Sequence, residues 1–534
     1  MRLRIHQLAM KLDYVKADVL IALARALSCD PEVLGPPTIL RRSIDARRKD
    51  VPPKFVLSVE VDYYGEAEPP LAPGRIALAP EPETETPNLS IRPALRPIVV
   101  GAGPAGLLAA LTLAEAGAKP LLVERGQDVH VRSHHVDTFW EEGVLNSESN
   151  VLFGEGGAGL FSDGKLTTRS KEKGAVRTLL ETLVRFGASP DILFDAEPHI
   201  GSDMLAHLIP SVRDRILELG GDIHYGTQLE AVQIDQGTVR GAVVSGAELR
   251  TDVLFLAIGH SARDTVRMLA SSGVPIEAKA FAIGVRAEMP QSRLNVAQYG
   301  RWATHPKLGP ATFSLTRKPG ATHRSCYSFC NCPGGLVMAC ASSPGYLTTN
   351  GMSYSRRAKP FGNAAILVPV GPGDFDNDSA SGPAALAGIA FQESIEKAAF
   401  TAGGGRYSLP AQPLVDFLQQ RKPADLPDGR SCKRAVAVNL AEILPHDVLS
   451  TLIAQLPRML RELNGIRHED VLLYGAETRS SSPIRIVRNP ASRESVGVGG
   501  LIPIGEGSGY AGGIVSSALD GQQAALHWIT TRCS

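Results

Sequence analysis

The sequence has no net charge and no long apolar run. Its 55 Lys and Arg residues equal its 55 Asp and Glu residues, so no overall field favours a polyanion, and nucleic acid is not the expected partner. The clearest apolar run, Val253 to Ile258, falls far short of the roughly 18 residues of a membrane span. These absences predict a protein that acts on a small molecule and has no membrane partner.

Cysteine is scarce as well. Seven cysteines in 534 residues are an odd number and too few for a disulfide scaffold, which fits a reducing compartment. The first residues, Met1 to Lys11, mix basic and apolar positions and lack the apolar stretch of a secretory signal. We therefore expect a cytoplasmic protein.

Glycine, by contrast, is abundant, and its clearest cluster is a dinucleotide-binding pattern. Gly101-x-Gly103-x-x-Gly106 lies between an apolar strand, Ile98 to Val100, and an Ala/Leu-rich helix. In this pattern the glycines permit a tight turn, the approach of a pyrophosphate and close packing of helix on strand, while the helix N-terminus offers free N–H groups to the phosphates. We assign Gly101, Gly103, Pro104, Ala105 and Gly106 to cofactor binding.

Glu124 follows at the end of the next strand, 23 residues after Gly101. An acid here accepts hydrogen bonds from ribose hydroxyls and disfavours a 2′-phosphate, so FAD or NAD is expected rather than NADP. Two further GxGxxG matches begin at Gly154 and Gly507. Neither is followed by such an acid, and we interpret them as loops that approach the same cofactor.

Several longer segments resemble a family of FAD-dependent dehydrogenases within the glutathione-reductase-like FAD superfamily, a family without a settled substrate. The N-terminal RRSIDARRK segment, Arg41 to Lys49, also resembles that family. The other matching segments are Val99–Gly126, FGEGGAGLFSDGKL (Phe153–Leu166), FAIGVRAEMPQ (Phe281–Gln291), CNCPGG (Cys330–Gly335), ETRSSSPIRI (Glu477–Ile486) and GEGSGYAGGIVSSALDG (Gly505–Gly521).

The resemblance implies FAD as the cofactor and extends the expected binding site beyond the first glycine loop. Gly505 and Glu506 would meet the ribitol, although many members of the superfamily carry Asp at the position of Glu506. Gly512 and Gly513 would begin a helix whose positive end faces the flavin, where it stabilises the negative charge of the reduced form. The remaining residues that we assign to the cofactor are Arg125, Gly156, Gly157, Lys165, Leu166, Gly259 and Ile514.

The expected fold is α/β, with a Rossmann-like parallel FAD-binding sheet and a β-meander assembled from Asp222–Tyr225, Gln228–Ile234 and Val239–Val244. We expect a small βαββ module over residues 1–68, a proline-rich linker over 69–97, the FAD-binding domain over 98–279 and 481–534, and an inserted α+β substrate domain over 280–480.

Four side chains are candidates for catalysis. Arg479 and Arg485 suit a carboxylate or phosphate on the substrate, and they equally suit pairing with Glu477 or another structural acid. His260 and His199 follow or precede turns and are candidate proton carriers. Arg286 carries the same ambiguity as the other two arginines.

Four of the cysteines, Cys326, Cys330, Cys332 and Cys340, lie within 15 residues. Their spacing does not match zinc or iron–sulfur patterns, so we expect no metal. A redox pair of Cys330 and Cys332 is chemically reasonable, and so is a structural role for both.

The expected function is an FAD-dependent oxidoreductase that transfers a hydride between a small organic substrate and the flavin N5, with NAD(P)H a candidate electron donor. One alternative is a flavoprotein with mainly structural FAD whose N-terminal module binds RNA or protein through Arg41, Arg42, Arg47, Arg48 and Lys49. The other is a flavin-linked thiol–disulfide reductase that uses Cys330 and Cys332. The sequence does not indicate an oligomeric state.

Overall fold

The computed structural model describes residues 1–80, 89–168, 170–375 and 384–533. The predicted linker over 69–97 therefore lies partly outside the described residues. Among the described helices, none is both long and apolar enough to cross a bilayer.

The N-terminal module is a four-stranded antiparallel sheet covered by one helix. Leu3, Ile5, Leu57 and Val59 alternate along two central strands and are almost fully buried against Leu23 of the helix. The elements are β1 (Arg2–Met10), α1 (Lys16–Leu27), β2 (Thr38–Asp45), β3 (Lys54–Asp62) and β4 (Ile76–Leu78), with strand order β2-β3-β1-β4.

The fourth strand departs from the sequence expectation, which ended the module at residue 68 and began a linker at 69. Ile76 pairs with Ile5 of β1 and is buried in the module core. An apolar side chain beside an open sheet edge is stabilised by burial there, so the first part of the proline-rich segment folds onto the module.

Three of the basic residues of this module are paired with acids. Arg42 contacts Asp195 at 2.7 Å, and Arg47 and Arg48 contact Asp45 and Asp50 at 2.7 and 2.5 Å. Arg42 also exchanges backbone hydrogen bonds with Phe194 and Ala196, which joins the module to the next domain. This pairing weakens the argument for a polyanion-binding face.

The second unit is the Rossmann-like domain. Its strands β5 (Ile98–Val100), β6 (Leu121–Val123) and β7 (Asp222–His224) pair in parallel with one another, and β11 (Leu254–Leu256) pairs in parallel with β5. Its other elements are α2 (Pro104–Glu115), α3 (Val129–Glu142), α4 (Lys173–Arg185), α5 (Ser202–Glu218), β8 (Leu229–Asp235), β9 (Thr238–Val244), β10 (Ala247–Arg250) and α6 (Arg263–Ser271).

The meander differs from the prediction in one strand. Asp222–His224 pairs in parallel with β6, because it returns to the sheet after helix α5 as a crossover connection requires. The three antiparallel strands of the meander are instead β8, β9 and β10. The third strand, Ala247–Arg250, is short and polar, and its composition gave no strand signal.

The middle domain is built on a mixed seven-stranded sheet, with strand order β14-β15-β18-β13-β21-β19-β20. Its long central strand is buried on both faces. The elements are β12 (Ile276–Ala278), β13 (Phe281–Pro290), α7 (Gln291–Tyr299), β14 (Thr316–Arg317), β15 (Cys326–Cys332), β16 (Leu336–Cys340), β17 (Thr348–Met352), β18 (Phe361–Val370), α8 (Ala387–Ala402), β19 (Leu409–Pro413), α9 (Leu414–Leu418), β20 (Ala435–Ala437), α10 (His446–Leu460) and β21 (Leu472–Glu477).

The chain then returns to the Rossmann-like domain. β22 (Ile484–Ile486) pairs with β12, and β23 (Leu501–Pro503) adds a fifth strand beside β11, which gives the parallel order β23-β11-β5-β6-β7. The last helix, α11 (Ile514–Cys533), packs against α2. Residues Ala105 to Ala114 of α2 are all buried, as expected for a helix held between a sheet and another helix.

A buried carboxylate joins the two larger domains. Glu396 of α8 accepts hydrogen bonds from Arg263 at the start of α6 (2.8 Å to each oxygen) and from Arg479 (2.9 and 2.7 Å). Thr478 donates a further bond of 2.7 Å. Burial raises the pKa of Glu396, but the two guanidinium groups overcome it and hold that pKa well below its ordinary value.

We expect Glu396→Gln to lower the free energy of unfolding by about 3–5 kcal/mol, because it leaves two buried guanidinium groups without a counter-charge. Glu393→Gln is the matched control: Glu393 lies on the same helix and pairs at 2.7 Å with the half-exposed Arg267, while its contact with Arg263 is long, at 3.8 Å. Its loss should cost no more than about 1 kcal/mol. Urea unfolding at neutral pH measures both values.

The difference in stability between wild type and Glu396→Gln should depend on pH. A carboxyl with a lowered folded-state pKa stabilises the fold fully above its ordinary pKa of 4.5, and this contribution shrinks as the pH falls further. The stability gap between wild type and Glu396→Gln should therefore narrow below pH 4.5. Equal free energies of unfolding for wild type and Glu396→Gln at neutral pH would contradict the role given to Glu396.

Candidate functional site

A cleft of about 350 Å³ lies at the carboxyl ends of the parallel strands and extends to the middle domain. This is the edge of a doubly wound sheet at which ligands bind. Most of the predicted cofactor residues line it, together with two of the catalytic candidates: Gly101, Gly103, Pro104, Ala105, Glu124, Arg125, Gly157, Lys165, Gly259, Gly505, Glu506, Gly512, Gly513, Ile514, His260 and Arg479.

Each of the three positions in the first loop suits glycine for a different steric reason. Gly101 has φ +101°, and a Cβ there would overlap the carbonyl oxygen of Ala257. A Cβ on Gly106 would overlap the carbonyl oxygen of Gly101, so Gly106 permits close contact between α2 and the turn. At Gly103, in contrast, the nearest atom to a Cβ is Gly157 Cα at 3.8 Å. Its free face therefore opens on the cleft.

Two helices begin at the cleft. Pro104 is the first residue of α2, and Ile514 is the first residue of α11, directly after Gly513 with φ +116°. The first N–H groups of a helix have no partner within the helix, and the helix dipole makes this end positive. Both helix starts can therefore receive negative charge without a basic side chain.

Glu124 organises the loops around it. One carboxylate oxygen accepts the N–H of Ala102 at 2.7 Å, and the other accepts those of Gly126 and Gly154 at 2.9 and 3.0 Å. A carboxylate has about four acceptor sites, so one remains for a ribose hydroxyl. The side chain thus fixes two glycine loops as well as facing the cleft.

Arg125 closes the end of the cleft near the meander. Its guanidinium lies over the Phe153 ring at 4.2 Å and pairs with Asp264 at 2.9 Å and with Glu148 at 2.8 Å. Both acids satisfy its charge, so the planar group is held as a wall. Thr227, Gln228 and Leu229 complete this end.

Lys165 projects from a loop that is fixed by a buried ion pair. Asp163 pairs with Arg357 and accepts a 2.5 Å hydrogen bond from Ser353. The backbone continues this support, since Leu166 N–H donates to Pro198 at 2.8 Å. Among the described residues, no acid lies within ion-pair distance of Lys165, unlike the two arginines that line the cleft.

At the other end, the C-terminal segment supplies two acids with different tasks. Asp520 of α11 accepts the N–H of Gly505 at 2.8 Å and is held by Arg488 and Arg493 at 2.7 and 2.9 Å. Glu506 faces the cleft, with Oε1 3.7 Å from His260 Nδ1. His260 Nε2 is buried and has no hydrogen-bond partner in the described part of the chain.

The middle domain forms the remaining wall. Its side chains come from β15, β17 and the segment that follows β21: Phe329, Cys330, Asn350, Glu477, Arg479 and Ser480. The Arg479 guanidinium donates hydrogen bonds to Glu396, Ser261 and Ser342. It therefore acts as a structural ion-pair partner, the second of the two roles that the sequence left open.

Two catalytic candidates do not reach the cleft. Arg485 pairs with Glu277 at 2.9 Å on the antiparallel strand pair β12–β22. His199 contacts the carbonyl oxygen of Ser355 at 3.1 Å, and burial together with the nearby Arg357 cation lowers its pKa, which favours the neutral ring.

Three predicted cofactor residues also lie behind the surface of the cleft. Gly106 packs beneath the first loop, Gly156 packs against Ile209 of α5, and Leu166 belongs to the apolar core. Their task is to let other residues approach the ligand.

Sequence reasoning missed several residues of the lining. Ser261 and the Thr227–Leu229 segment follow parallel strands, so the rule that ligands bind beyond carboxyl strand ends would have found them. Asn350 and Phe329 come from the middle domain, and only tertiary folding brings them here. No local pattern indicates them.

The side chains and the backbone fit FAD. The open face of Gly103 and the two helix starts suit a diphosphate, Glu124 keeps an acceptor for a ribose, and the cleft extends to a wall from a second domain where an isoalloxazine ring would end. Arg125 and Phe153 border the opposite, adenine end. These features suit FAD as the ligand of this cleft.

The contrast between Gly103 and Gly106 is testable. Gly103→Ala should leave the stability within about 1 kcal/mol of wild type, since no protein atom obstructs the methyl group, yet it should weaken FAD binding at least tenfold. Gly106→Ala should lower the stability by about 1–3 kcal/mol through overpacking. Urea unfolding and FAD titration separate the two effects.

Gly309→Ala serves as the control, because Gly309 is exposed and nothing lies within 4 Å of its Cβ position. It should change neither the free energy of unfolding nor the affinity for FAD. If the Gly103→Ala protein bound FAD as tightly as wild type, the diphosphate would not bind against this loop.

Three family models match the chain: a domain of unknown function, DUF8436, over residues 2–62, an FAD binding domain over residues 96–147, and "FAD-dependent protein, C-terminal domain-like" over residues 280–480. A Clostridium beijerinckii protein described as "Uncharacterized protein" is 41% identical over 99% of both chains.

Solved flavoproteins resemble the chain only distantly. A quinol fumarate reductase from E. coli has 13% identity and a TM-score of 0.37, covering 83% of this chain and 71% of that one. An FAD-bound glycerol-3-phosphate dehydrogenase from Bacillus halodurans has 11% identity and a TM-score of 0.35, covering 82% and 64%. TM-scores this low carry no argument about function.

The matched models agree with the cofactor that the cleft suits, and FAD is the cofactor of this protein. A flavin supplies redox chemistry and leaves binding and orientation to the protein, so the chain is a flavoprotein oxidoreductase. It belongs to the same family as the Clostridium beijerinckii protein.

Proposed function

We propose that the protein transfers a hydride between a small organic substrate and the N5 atom of its FAD. The observation that carries this proposal is the composition of the cleft. The dinucleotide-binding loops form one end, and the middle domain closes the other end with Phe329, Cys330 and Asn350. A substrate enclosed there would face the flavin ring away from bulk water.

The chain contributes positive potential where reduced flavin carries negative charge. The start of α11 at Ile514 and Lys165, which has no acid within ion-pair distance among the described residues, both line the cleft. Each would stabilise the reduced, anionic cofactor more than the oxidised one. This differential stabilisation favours hydride acceptance from the substrate.

His260 is the proposed proton carrier. Of the two histidines that the sequence suggested, it alone lines the cleft, and its Nε2 atom has no hydrogen-bond partner among the described residues. Glu506, 3.7 Å from the opposite ring nitrogen, would orient the ring. Together they provide a proton path beside the cofactor.

The electron donor is found by anaerobic bleaching. Purified protein should be yellow, and one class among NADH, NADPH, amines, hydroxy acids and polyenes should bleach the flavin in a stopped-flow spectrometer. NAD(P)H is a candidate as a transient donor. FAD that no hydride donor reduces would contradict the proposal.

Lys165→Met tests the electrostatic part. We expect the reduction potential of bound FAD to fall by about 20 mV, which corresponds to about 1 kcal/mol for a two-electron couple. Equilibration with a reference dye measures it. Lys173→Met, at an exposed residue that does not line the cleft, is the control. Weaker FAD binding without a change in potential would place the ammonium at the diphosphate instead.

A further inference from the structure

Two cysteine thiols meet at the wall of the cleft that the middle domain forms. Cys330 lines the cleft, while Cys332 is fully buried beside it. A bulge in β15 between Phe329 and Cys332 separates them, and Cys330 occupies the left-handed region at φ +46°. This irregular backbone turns the Cys330 thiol towards the cleft.

The two cysteines are close in space as well as in sequence. The Cys332 thiol donates to the Cys330 carbonyl oxygen at 3.5 Å, and the two side chains affect each other's pKa. The thiols therefore belong to one interacting pair.

Arg286 places a buried positive charge on this pair. Its Nη1 atom lies 3.3 Å from the Cys330 carbonyl oxygen and 3.9 Å from Cys332 Sγ. Glu477, which also lines the cleft, holds the other side of the guanidinium at 2.7 and 2.6 Å. The cation is fixed by this ion pair, and it can stabilise a thiolate.

These contacts set Cys330 apart from the other cysteines. The hydrogen bond from Cys332 and the Arg286 cation lower the pKa of Cys330 to about 7, against the opposing effect of burial. The same hydrogen bond, together with burial, raises the pKa of Cys332. Burial alone raises the pKa of Cys326 to about 12. Cys330 is also the member of the pair that lines the cleft, so its thiol is the one that a ligand there would meet.

The segment also bears costs that a purely structural strand would avoid. A cysteine at positive φ is strained, and Asn331 between the two thiols is buried with neither amide atom partnered among the described residues. Strain and unsatisfied polar atoms concentrate at functional sites. Both observations point to a role beyond packing.

We propose that Cys330 and Cys332 form a redox-active dithiol that exchanges two electrons with the FAD in this cleft. The proposal rests on the proposed function, which supplies reduced flavin from an organic hydride donor. In the reductive direction, the S–S bond between the two cysteines breaks and accepts two electrons from the reduced flavin. One proton from the flavin and one from solvent complete the two thiols, and the flavin returns to its oxidised form.

Electron counting tests the proposal. Air-oxidised holoenzyme, titrated anaerobically with dithionite, should take up four electrons per FAD, two in the flavin and two in the disulfide. Cys330→Ser and Cys332→Ser should each take up two. After denaturation, the oxidised wild type should show five reactive thiols and the reduced protein all seven of its cysteines.

Cys326→Ala is the matched control, since Cys326 lies on the same strand and is buried away from the cleft. It should still take up four electrons. A wild type that takes up two electrons and shows seven thiols in both states would overturn the dithiol and leave the flavin function intact. A chain that binds no FAD would overturn both.

Discussion

The cleft depends on one buried carboxylate. Glu396 comes from the middle domain and is held by Arg263 of the Rossmann-like domain and by Arg479 from the end of the middle domain. Its two oxygens each accept from both guanidinium groups, and such paired hydrogen bonds add geometric specificity to the attraction between the charges. This contact links the two domains whose residues line the cleft.

The same junction shapes the chemistry at the surface. Arg479 extends from Glu396 to Ser261, which lies next to His260 at the end of β11. The donors of this guanidinium are therefore already used in hydrogen bonds to protein groups and do not bind a substrate anion. The positive potential of the cleft is left to the helix starts and to Lys165, which are the groups suited to a cofactor that becomes negative when it is reduced.

Backbone groups form much of the cleft surface that suits the cofactor. The glycine loops bring N–H groups and helix ends to the site, and Glu124 holds two of these loops together through three backbone hydrogen bonds. Such a design needs no surplus of basic residues, which agrees with the zero net charge of the chain. The abundance of glycine has the same origin, because each of these loops needs positions without a Cβ.

Local patterns predicted the parts of the structure that depend on local rules. The first glycine loop, its strand and its helix lie where the sequence placed them, because turn geometry at Gly101 and packing at Gly106 require glycine. Ile76 joined the N-terminal sheet instead of a linker, since the open sheet edge that it covers is invisible in the sequence. The roles of Arg479 and Arg485 depended on their partners Glu396 and Glu277, which are distant in sequence.

The middle-domain wall shows the limit of sequence reasoning most clearly. Cys330 and Cys332 appeared as two thiols with an unremarkable spacing. Only the bulge in β15, the position of Arg286 on β13 and the approach of the Rossmann-like domain reveal that one thiol faces the cleft. With Glu477 on β21, this environment arises from three separate strands, and no window of sequence contains it.

The central claim is that this cleft binds FAD through its ADP half. Titration of the cofactor-free protein by calorimetry, with FAD, FMN and ADP in turn, tests it most directly. The account predicts one FAD per chain, competition by ADP for the same site and much weaker binding of FMN, which lacks the adenosine that Glu124 and Arg125 border. Equal affinity for FMN and FAD, or FAD binding that ADP does not compete with, would contradict it.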